Sequence, residues 1–389
     1  MSAPLNQLAA TTAATNRFDR LEWAGAFGDL GTLVPFIVAY IALLGMDPYG
    51  VLLAFGVAKI VVGLHYKTPF PVQPMKAIGA TATMQAAQTA VITPNAVYGA
   101  GIVTGLVWFV LGVTGAAQKV ARLVTRPVAV GMIMGLGFAF MLQGLERIAQ
   151  EWIIGSIAML ATFVLLRNQA LPVMLLLIPA GALVAVVQDP RLLADLGGIS
   201  VDFRLPSFAL GAMTWHEFAI GAVLLALPQI PLTLGNAVIA ITEENNRLFP
   251  DRPVTEKKVA ISTGLMNLLG PLMGGVPMCH GAGGMAGHVR FGARTGGALI
   301  IIGVTLVVIA LFFASSVTTI LRIFPTPILG VILFLTGAQL ALGSCDFGKT
   351  KNARFVSLIT AACAIWNVGI AFLVGMLVHH LLARDWARL

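Results

Sequence analysis

Apolar runs cover almost everything between Phe27 and Leu382. The 389 residues are 58% hydrophobic and only 10% charged, where a soluble domain carries about 25% charge. Such a chain has too little polar surface to face water, so it belongs in a bilayer. One helical span takes about 20 residues, so about fourteen spans need about 280 and leave only short connections. That excludes a sizeable soluble domain. The expected fold class is an all-α polytopic membrane protein of about fourteen transmembrane segments.

The stretch from Phe70 to Thr83 departs from this pattern. Pro69, Pro71 and Pro74 keep its first half extended, because proline lacks an N–H and pushes the preceding residue out of the helical region. Nothing then breaks a helix until Thr93-Pro94. The spacing predicts a strand-like segment followed by a helix from Pro74 or Met75, with Lys76 in its first turn. A cation there opposes the helix dipole unless an anion is near. Pro74-Met75 recurs as Pro277-Met278, and Lys76 then aligns with Cys279, one place before His280. Short broken helices in corresponding places of two halves are the sequence mark of a transporter's binding site.

Spans are expected at Phe27–Leu44 and Gly50–Leu64, then a broken third element ending near Thr93. Four more follow at Val97–Ala117, Pro127–Leu145, Trp152–Leu166 and Leu171–Val187. The polar connection from Gln188 to Trp215 divides the chain. The second half repeats the scheme with His216–Ile241, Val259–Met273, a broken tenth element at Pro277–His288, Gly296–Ala314, Pro325–Leu342, Phe355–Trp366 and Asn367–Leu382; the last two also read as one re-entrant pair. The organisation is a cytoplasmic tail (1–24), a first repeat (25–190), an extracytoplasmic connection (191–215) and a second repeat (216–389). Seven elements per half give the halves opposite orientations, which is an inverted-topology repeat.

Charge placement agrees. With both termini cytoplasmic, only Arg147, Arg191, Arg204 and Arg322 of the 24 basic residues fall outside, and Lys59 and Lys76 lie within spans. This follows the positive-inside rule and accounts for the net charge of +8 without nucleic acid. Lys59 is expected to snorkel to the surface, and Glu243, Glu244 and Glu256 to lie in a solvated loop. The first 20 residues hold no apolar stretch before a cleavage site, so no signal peptide is expected. Cys279, Cys345 and Cys363 show no metal spacing and read as free thiols.

The candidate site chemistry is positive. Two helix N-termini facing each other offer about one unit of positive charge. Lys76 adds another, and a protonated His280 would add more. A small dianion balances that set; alternatively Lys76 pairs with Asp29 and only joins helices. Gly281, Ala282 and Gly283 open a glycine run through Gly287 that admits close backbone approach. It serves a ligand or tight helix packing; as a dinucleotide fingerprint it lacks the flanking strand. Gln229, Thr233 and Asn236 share one helix face, and Pro228 and Pro231 loosen the backbone beside them. That face reaches either a ligand or the broken third element. Asp29 reads as a proton carrier, a helix cap or the partner of Lys76. His216-Glu217 begins like a zinc-protease helix, but Ile220 stands where the second histidine belongs. An enzyme is not expected, nor is a cofactor.

Taken together, Phe70-Pro-Val-Gln-Pro-Met-Lys-Ala-Ile78, Gly28-Asp-Leu-Gly-Thr32, Val276-Pro-Met-Cys-His-Gly-Ala-Gly-Gly284 and Arg290-Phe-Gly-Ala-Arg-Thr-Gly296 resemble the signatures of the molybdate-transporter branch of the SulP sulfate-permease superfamily. The resemblance spans both halves. It implies a uracil-permease-like architecture in which a core domain moves against a gate domain. It also implies molybdate as substrate, with sulfate or tungstate as relatives and a nucleobase as the remoter alternative. By motif position the anion site falls on Gln73, Met75, Lys76 and Ala77 and on Cys279, His280, Gly281, Ala282 and Gly283, with Gln229 alongside. Proton symport is expected over exchange, because Asp29 and His280 could titrate, with Asp29 the candidate carrier; the protein is expected in the cytoplasmic membrane, with surrounding lipid and a homodimer as partners. SulP permeases usually carry a cytoplasmic STAS domain; the sequence ends at Leu389, and none is expected.

Overall fold

The computed structural model describes residues 15–42, 44–79, 82, 92–122, 125–165, 173–204, 213–342, 348 and 350–384. Cys345 lies outside them. The elements in chain order are α1 (Arg20–Ala26), α2 (Leu30–Ala42), α3 (Pro48–Tyr66), β1 (Gln73–Pro74), α4 (Pro94–Val113), α5 (Arg126–Gln150), α6 (Trp152–Leu165) and α7 (Val173–Gln188). Then come α8 (215–248), α9 (Glu256–Leu269), β2 (Met278–Cys279), α10 (Ala282–Arg290), α11 (Gly297–Phe313), α12 (Thr326–Leu342), α13 (Lys351–Trp366) and α14 (Val368–Ala383). Among the described residues four helices are long and apolar enough to cross a membrane, or up to six if each of two bent pairs is one span.

Helix starts follow local chemistry. Asp47 and Thr93 cap α3 and α4 with side-chain oxygens, each followed by a proline whose missing N–H is harmless at that place. Thr214 and Glu217 close a capping box at the start of α8. Glu217 also accepts from Thr93 Oγ1 at 2.8 Å and Asn95 Nδ2 at 3.1 Å, so it ties the starts of α8 and α4 together. That is its job in place of a protease motif. Asn367 separates α13 from α14 and caps the latter through Ile370 N. The connection after Gln188 is not wholly irregular, because Arg191–Gly197 is helical and bends 114° from α7.

Packing couples the halves in a regular exchange. A shift of 203 residues, the spacing of the two Pro-Met steps, carries α3 onto α9, α4 onto α11 and α5 onto α12. In space α3 packs on α11, α4 on α9, and α5 on α12. The first two contacts interchange under the shift and the third maps onto itself, as a two-fold relation requires. Glycine permits these close approaches. A Cβ on Gly264 of α9 would stand 2.5 Å from Phe109 N of α4, and one on Gly137 of α5 would stand 2.7 Å from Gly337 O of α12.

Glu243, Glu244 and Glu256 stand on helices and not in a loop, and two charged residues expected at the surface, Lys59 and Glu244, are buried. Lys59 does not snorkel; it is fully buried and donates to the Val72 carbonyl at 2.7 Å. That carbonyl belongs to an extended segment with no helical partner of its own, so the ammonium is more useful inside. Glu244 is not in a solvated loop; it lies in the last turns of α8, buried, and pairs with Arg247 one turn on. Glu256 occupies the first turn of α9, where a carboxylate favours the dipole.

Glu22 carried no sequence signal. Its buried carboxylate accepts from the N–H groups of Arg294 at 2.9 Å, Thr295 at 2.9 Å and Ala298 at 3.1 Å. It thereby caps α11 from α1. Glu22→Gln puts an NH2 against N–H donors and removes charge-assisted bonds worth about 1.5–3 kcal/mol. The expected outcome is a clear drop in the thermal unfolding midpoint in detergent. A midpoint equal to the parent's would show that water or the amide replaces the carboxylate.

Candidate functional site

β1 and β2 are two residues each and pair antiparallel, Gln73 opposite Cys279 and Pro74 opposite Met278. The Met75 N–H continues the ladder to Pro277 O at 2.9 Å. The 203-residue shift carries the pair Pro74–Met278 onto Pro277–Met75, so the ladder obeys the same exchange as the helices. Beyond the strands the chain turns helical on both sides, at Lys76–Gly79 and at α10. The two Pro-Met steps thus bring their helix starts together in the protein interior.

The exposed backbone groups of these elements are met by side chains. Gln229 Oε1 accepts from Ala77 N at 2.8 Å and Ile78 N at 3.3 Å, and its amide donates to Thr233 Oγ1 at 2.9 Å. Asn236 Oδ1 accepts from Ala282 N at 3.3 Å. The Gln229-Thr233-Asn236 face therefore addresses both helix starts. It does so from a distorted backbone, because α8 contains π-helical turns at Gly221–Ala226 and Thr233–Ala240 on either side of Pro228 and Pro231. Asn267 holds β2 by accepting from Met278 N at 2.8 Å and donating to Met278 O at 2.6 Å.

His280 faces away from Lys76. Its Nδ1 is 2.7 Å from Pro71 O and its Nε2 is 2.8 Å from Ser262 Oγ, which in turn is 2.7 Å from Tyr66 Oη. A carbonyl only accepts, so Nδ1 carries a hydrogen and donates. The ring packs edge-on against Phe70 and Tyr66. Both nitrogens are used in bracing the extended segment, and His280 presents only its main chain to the site.

Asp29 sits at the bend between α1 and α2. Its Oδ1 accepts from Gln73 Nε2 at 2.5 Å and from Thr32 Oγ1; its Oδ2 is buried without a partner. Asp29 is near enough to act on Lys76 electrostatically, yet the two form no ion pair, since Lys76 Nζ is buried and has no hydrogen-bond partner at all. That nitrogen lies 3.7 Å from the centre of the Phe140 ring. Phe140, from α5, gave no sign of its place in the sequence, where it is one apolar residue among many.

The glycine run is used for packing. A Cβ on Gly281 would stand 2.2 Å from Gln73 Oε1, and one on Gly283 would stand 2.1 Å from the Phe140 ring. The same ring therefore meets the start of α10 and the Lys76 ammonium. Met75, Cys279 and Ala282 are buried beside them. A cation over a ring gains about 2 kcal/mol when desolvated, less than the roughly 2.5–3.5 kcal/mol that a charge costs at the bilayer centre. The ring therefore offsets only part of the cost of a charge at Lys76.

A model of the family described as "Molybdate transporter of MFS superfamily" matches residues 21–140 and 221–340, one stretch in each half. The chain belongs to the molybdate-transporter family. Molybdate transporter 2 of Arabidopsis thaliana is 30% identical over 93% of this chain and 87% of its own. Molybdate transporter 1 of Chlamydomonas reinhardtii is 27% identical over 93% and 92%. Among solved structures, murine Slc26a9, an anion transporter in the inward-facing state, superposes with a TM-score of 0.61 at 12% identity, covering 96% of this chain and 70% of its own. The transmembrane domain of the cyanobacterial bicarbonate transporter BicA gives 0.54 at 15% identity over 93% and 97%. The transporter therefore shares the SLC26-type fold, is an integral membrane protein and is not an enzyme.

Removing the Lys76 charge tests its part in that site. Lys76→Gln keeps length, and anion uptake is expected to fall at least about tenfold with the protein still in the membrane. Uptake like the parent's would make the lysine structural.

Proposed function

We propose that this transporter imports molybdate across the cytoplasmic membrane by alternating access, coupled to protons. The observation that carries the reading is the buried Lys76 ammonium, unpartnered by any oxygen and set where both helix starts converge on Phe140. Its substrate-facing groups are Lys76, the main chain at Gln73–Ala77 and at Cys279–Gly283, and Gln229. In the arrangement described, Gln229 Oε1 occupies the N–H groups of Ala77 and Ile78. An arriving oxyanion competes for them, so Gln229 either shares the anion or yields to it.

The set consists of donors and positive charge, which suits a compact tetrahedral dianion whose oxygens only accept. A nucleobase needs acceptors along a planar edge. Asp29, the carboxylate nearby among the described residues, is engaged by Gln73 and Thr32. Asp29 is the proposed proton carrier: protonation would weaken its hold on Gln73, which touches Gly281 across the ladder. Both termini are cytoplasmic, with fourteen segments in two inverted halves. The basic-residue bias, the antiparallel ladder and the exchange symmetry of the packing support this. A homodimer is part of the same proposal.

The carried ion is tested in liposomes with labelled molybdate under an inward proton gradient. Tungstate, nearly equal in size and charge, is expected to compete strongly, sulfate more weakly, uracil not at all. Asp29→Asn is expected to abolish the dependence on the gradient while anion binding persists. Inhibition by uracil but not tungstate would refute the oxyanion reading. Sulfate matching tungstate would move the assignment to a sulfate permease, and an unchanged pH response would remove Asp29 from coupling.

Orientation is tested separately in a background without Cys279, Cys345 and Cys363. Gly197→Cys, where an added Cβ meets nothing within 4 Å, is expected to react with an impermeant thiol reagent from outside. Lys257→Cys is expected not to. The reverse pattern would overturn the topology.

A further inference from the structure

A groove of about 420 Å³ runs between α3 and α9, and Lys76 is not among its lining residues. Its walls are Ala54, Val57, Ala58 and Val61 from α3 and Ile261 and Leu265 from α9, with Met278 of β2 beyond them. Val57, Val61, Leu265 and Leu269 are exposed, so this face is apolar and open on one side. The polar lining residues are His65, Tyr66, Lys258 and Ser262, toward the C-terminal end of α3 and the N-terminal part of α9. Lys258 is exposed, with its Nζ 5.1 Å from the centre of the Tyr66 ring. Lys257 adjoins it in sequence, Lys67 follows Tyr66, and Arg252 reaches the Lys67 carbonyl at 2.5 Å.

Length and charge together name the occupant. From Lys258 to Leu269 the α9 axis rises about 16 Å at roughly 1.5 Å per residue. One leaflet of hydrocarbon is about 15 Å deep. The groove is thus one acyl chain long, apolar along its length and cationic at one mouth. A free anion would have no use for the apolar walls, and a neutral lipid none for the cations.

We propose that the groove between α3 and α9 seats an acyl chain of an anionic phospholipid whose phosphate rests on Lys258. The site has a route to the transport machinery. Tyr66 and Ser262 line it, and their hydroxyls join His280, which holds the Pro71 carbonyl of the extended segment before β1. A phosphate that draws Lys258 off the Tyr66 ring acts at the head of that chain. A lipid in place braces the segment carrying Gln73 and Lys76 without touching the anion. This inference does not depend on which oxyanion is carried.

The test is native mass spectrometry of the whole purified protein with phosphatidylglycerol, phosphatidylcholine or inorganic phosphate. Phosphatidylglycerol is expected to stay bound at least about fivefold more than phosphatidylcholine, the preference that one lysine confers near an anionic surface. Lys258→Gln is expected to reduce that preference toward unity, and Ala58→Phe, which fills the groove, to remove the adduct. Val61→Phe, at an exposed position, replaces Ala58→Phe if the latter does not fold. Equal retention of the two lipids by the parent, or an adduct undiminished by the groove-filling variant, would overturn the proposal. An inorganic phosphate adduct lost in Lys258→Gln, with no lipid adduct, would overturn it in favour of a free-anion site.

Discussion

A chain that stops being helical inside hydrocarbon must still satisfy its N–H and C=O groups. The rest of this structure answers that constraint. Two segments become extended in the interior, and each leaves several backbone groups without helical partners. The β1–β2 ladder meets some of them, and the 203-residue exchange explains why it can: each segment is the other's complement. Side chains meet more. Lys59 takes Val72 O, His280 takes Pro71 O, Asn267 takes both polar groups of Met278, Gln229 takes Ala77 and Ile78 N, and Asn236 takes Ala282 N. These residues come from α3, α8, α9 and the second extended segment itself. The extended segments are therefore held by the surrounding bundle.

This account separates bracing from ligand roles, which residue type alone does not. Lys59 and Lys76 are both lysines within apolar spans. Lys59 has a carbonyl to hold and Lys76 has none. His280 and Gln229 look like ligand residues by composition, but each already serves the backbone. For His280 the duty is complete, since both nitrogens are engaged. For Gln229 the proposed anion could take the duty over, because an anion oxygen would accept from the same N–H groups. The difference follows from geometry: the His280 ring is held at both nitrogens, between Pro71 and Ser262, whereas the Gln229 amide stands on a short α-helical stretch flanked by π-helical turns.

Much of this was legible in the sequence. Proline lacks an N–H, so Pro69, Pro71 and Pro74 announced an extended segment. The repeated Pro-Met step placed its partner, and apolar length outlined most of the helices. The shared face of Gln229, Thr233 and Asn236 followed from helical periodicity alone. What stayed hidden depends on contacts between residues far apart in the chain. Glu22 capping α11, Lys59 turning inward and Phe140 meeting Lys76 each join elements that only the packed bundle brings together. The glycine run was legible as close approach, but not as approach to what. Its neighbours prove to be Gln73, Phe140, Pro71 and Gly28.

That last result bears on how the transporter distinguishes a loaded from an unloaded site. Gly281 leaves no room between α10 and the Gln73 amide, and Gln73 in turn holds Asp29. On the proposed function, a proton on Asp29 and an anion beside Lys76 would act on opposite ends of one short, closely packed connection. Phe140 enters from α5, outside both broken elements, and contacts the Lys76 ammonium and Gly283 together. If Lys76 receives the anion as proposed, drawing it off that ring would weaken a contact between α5 and the paired helix starts. A ring suits that role: cation–π attraction of about 2 kcal/mol holds the lysine and leaves its charge available to a dianion, whereas a carboxylate at the same distance would neutralise it.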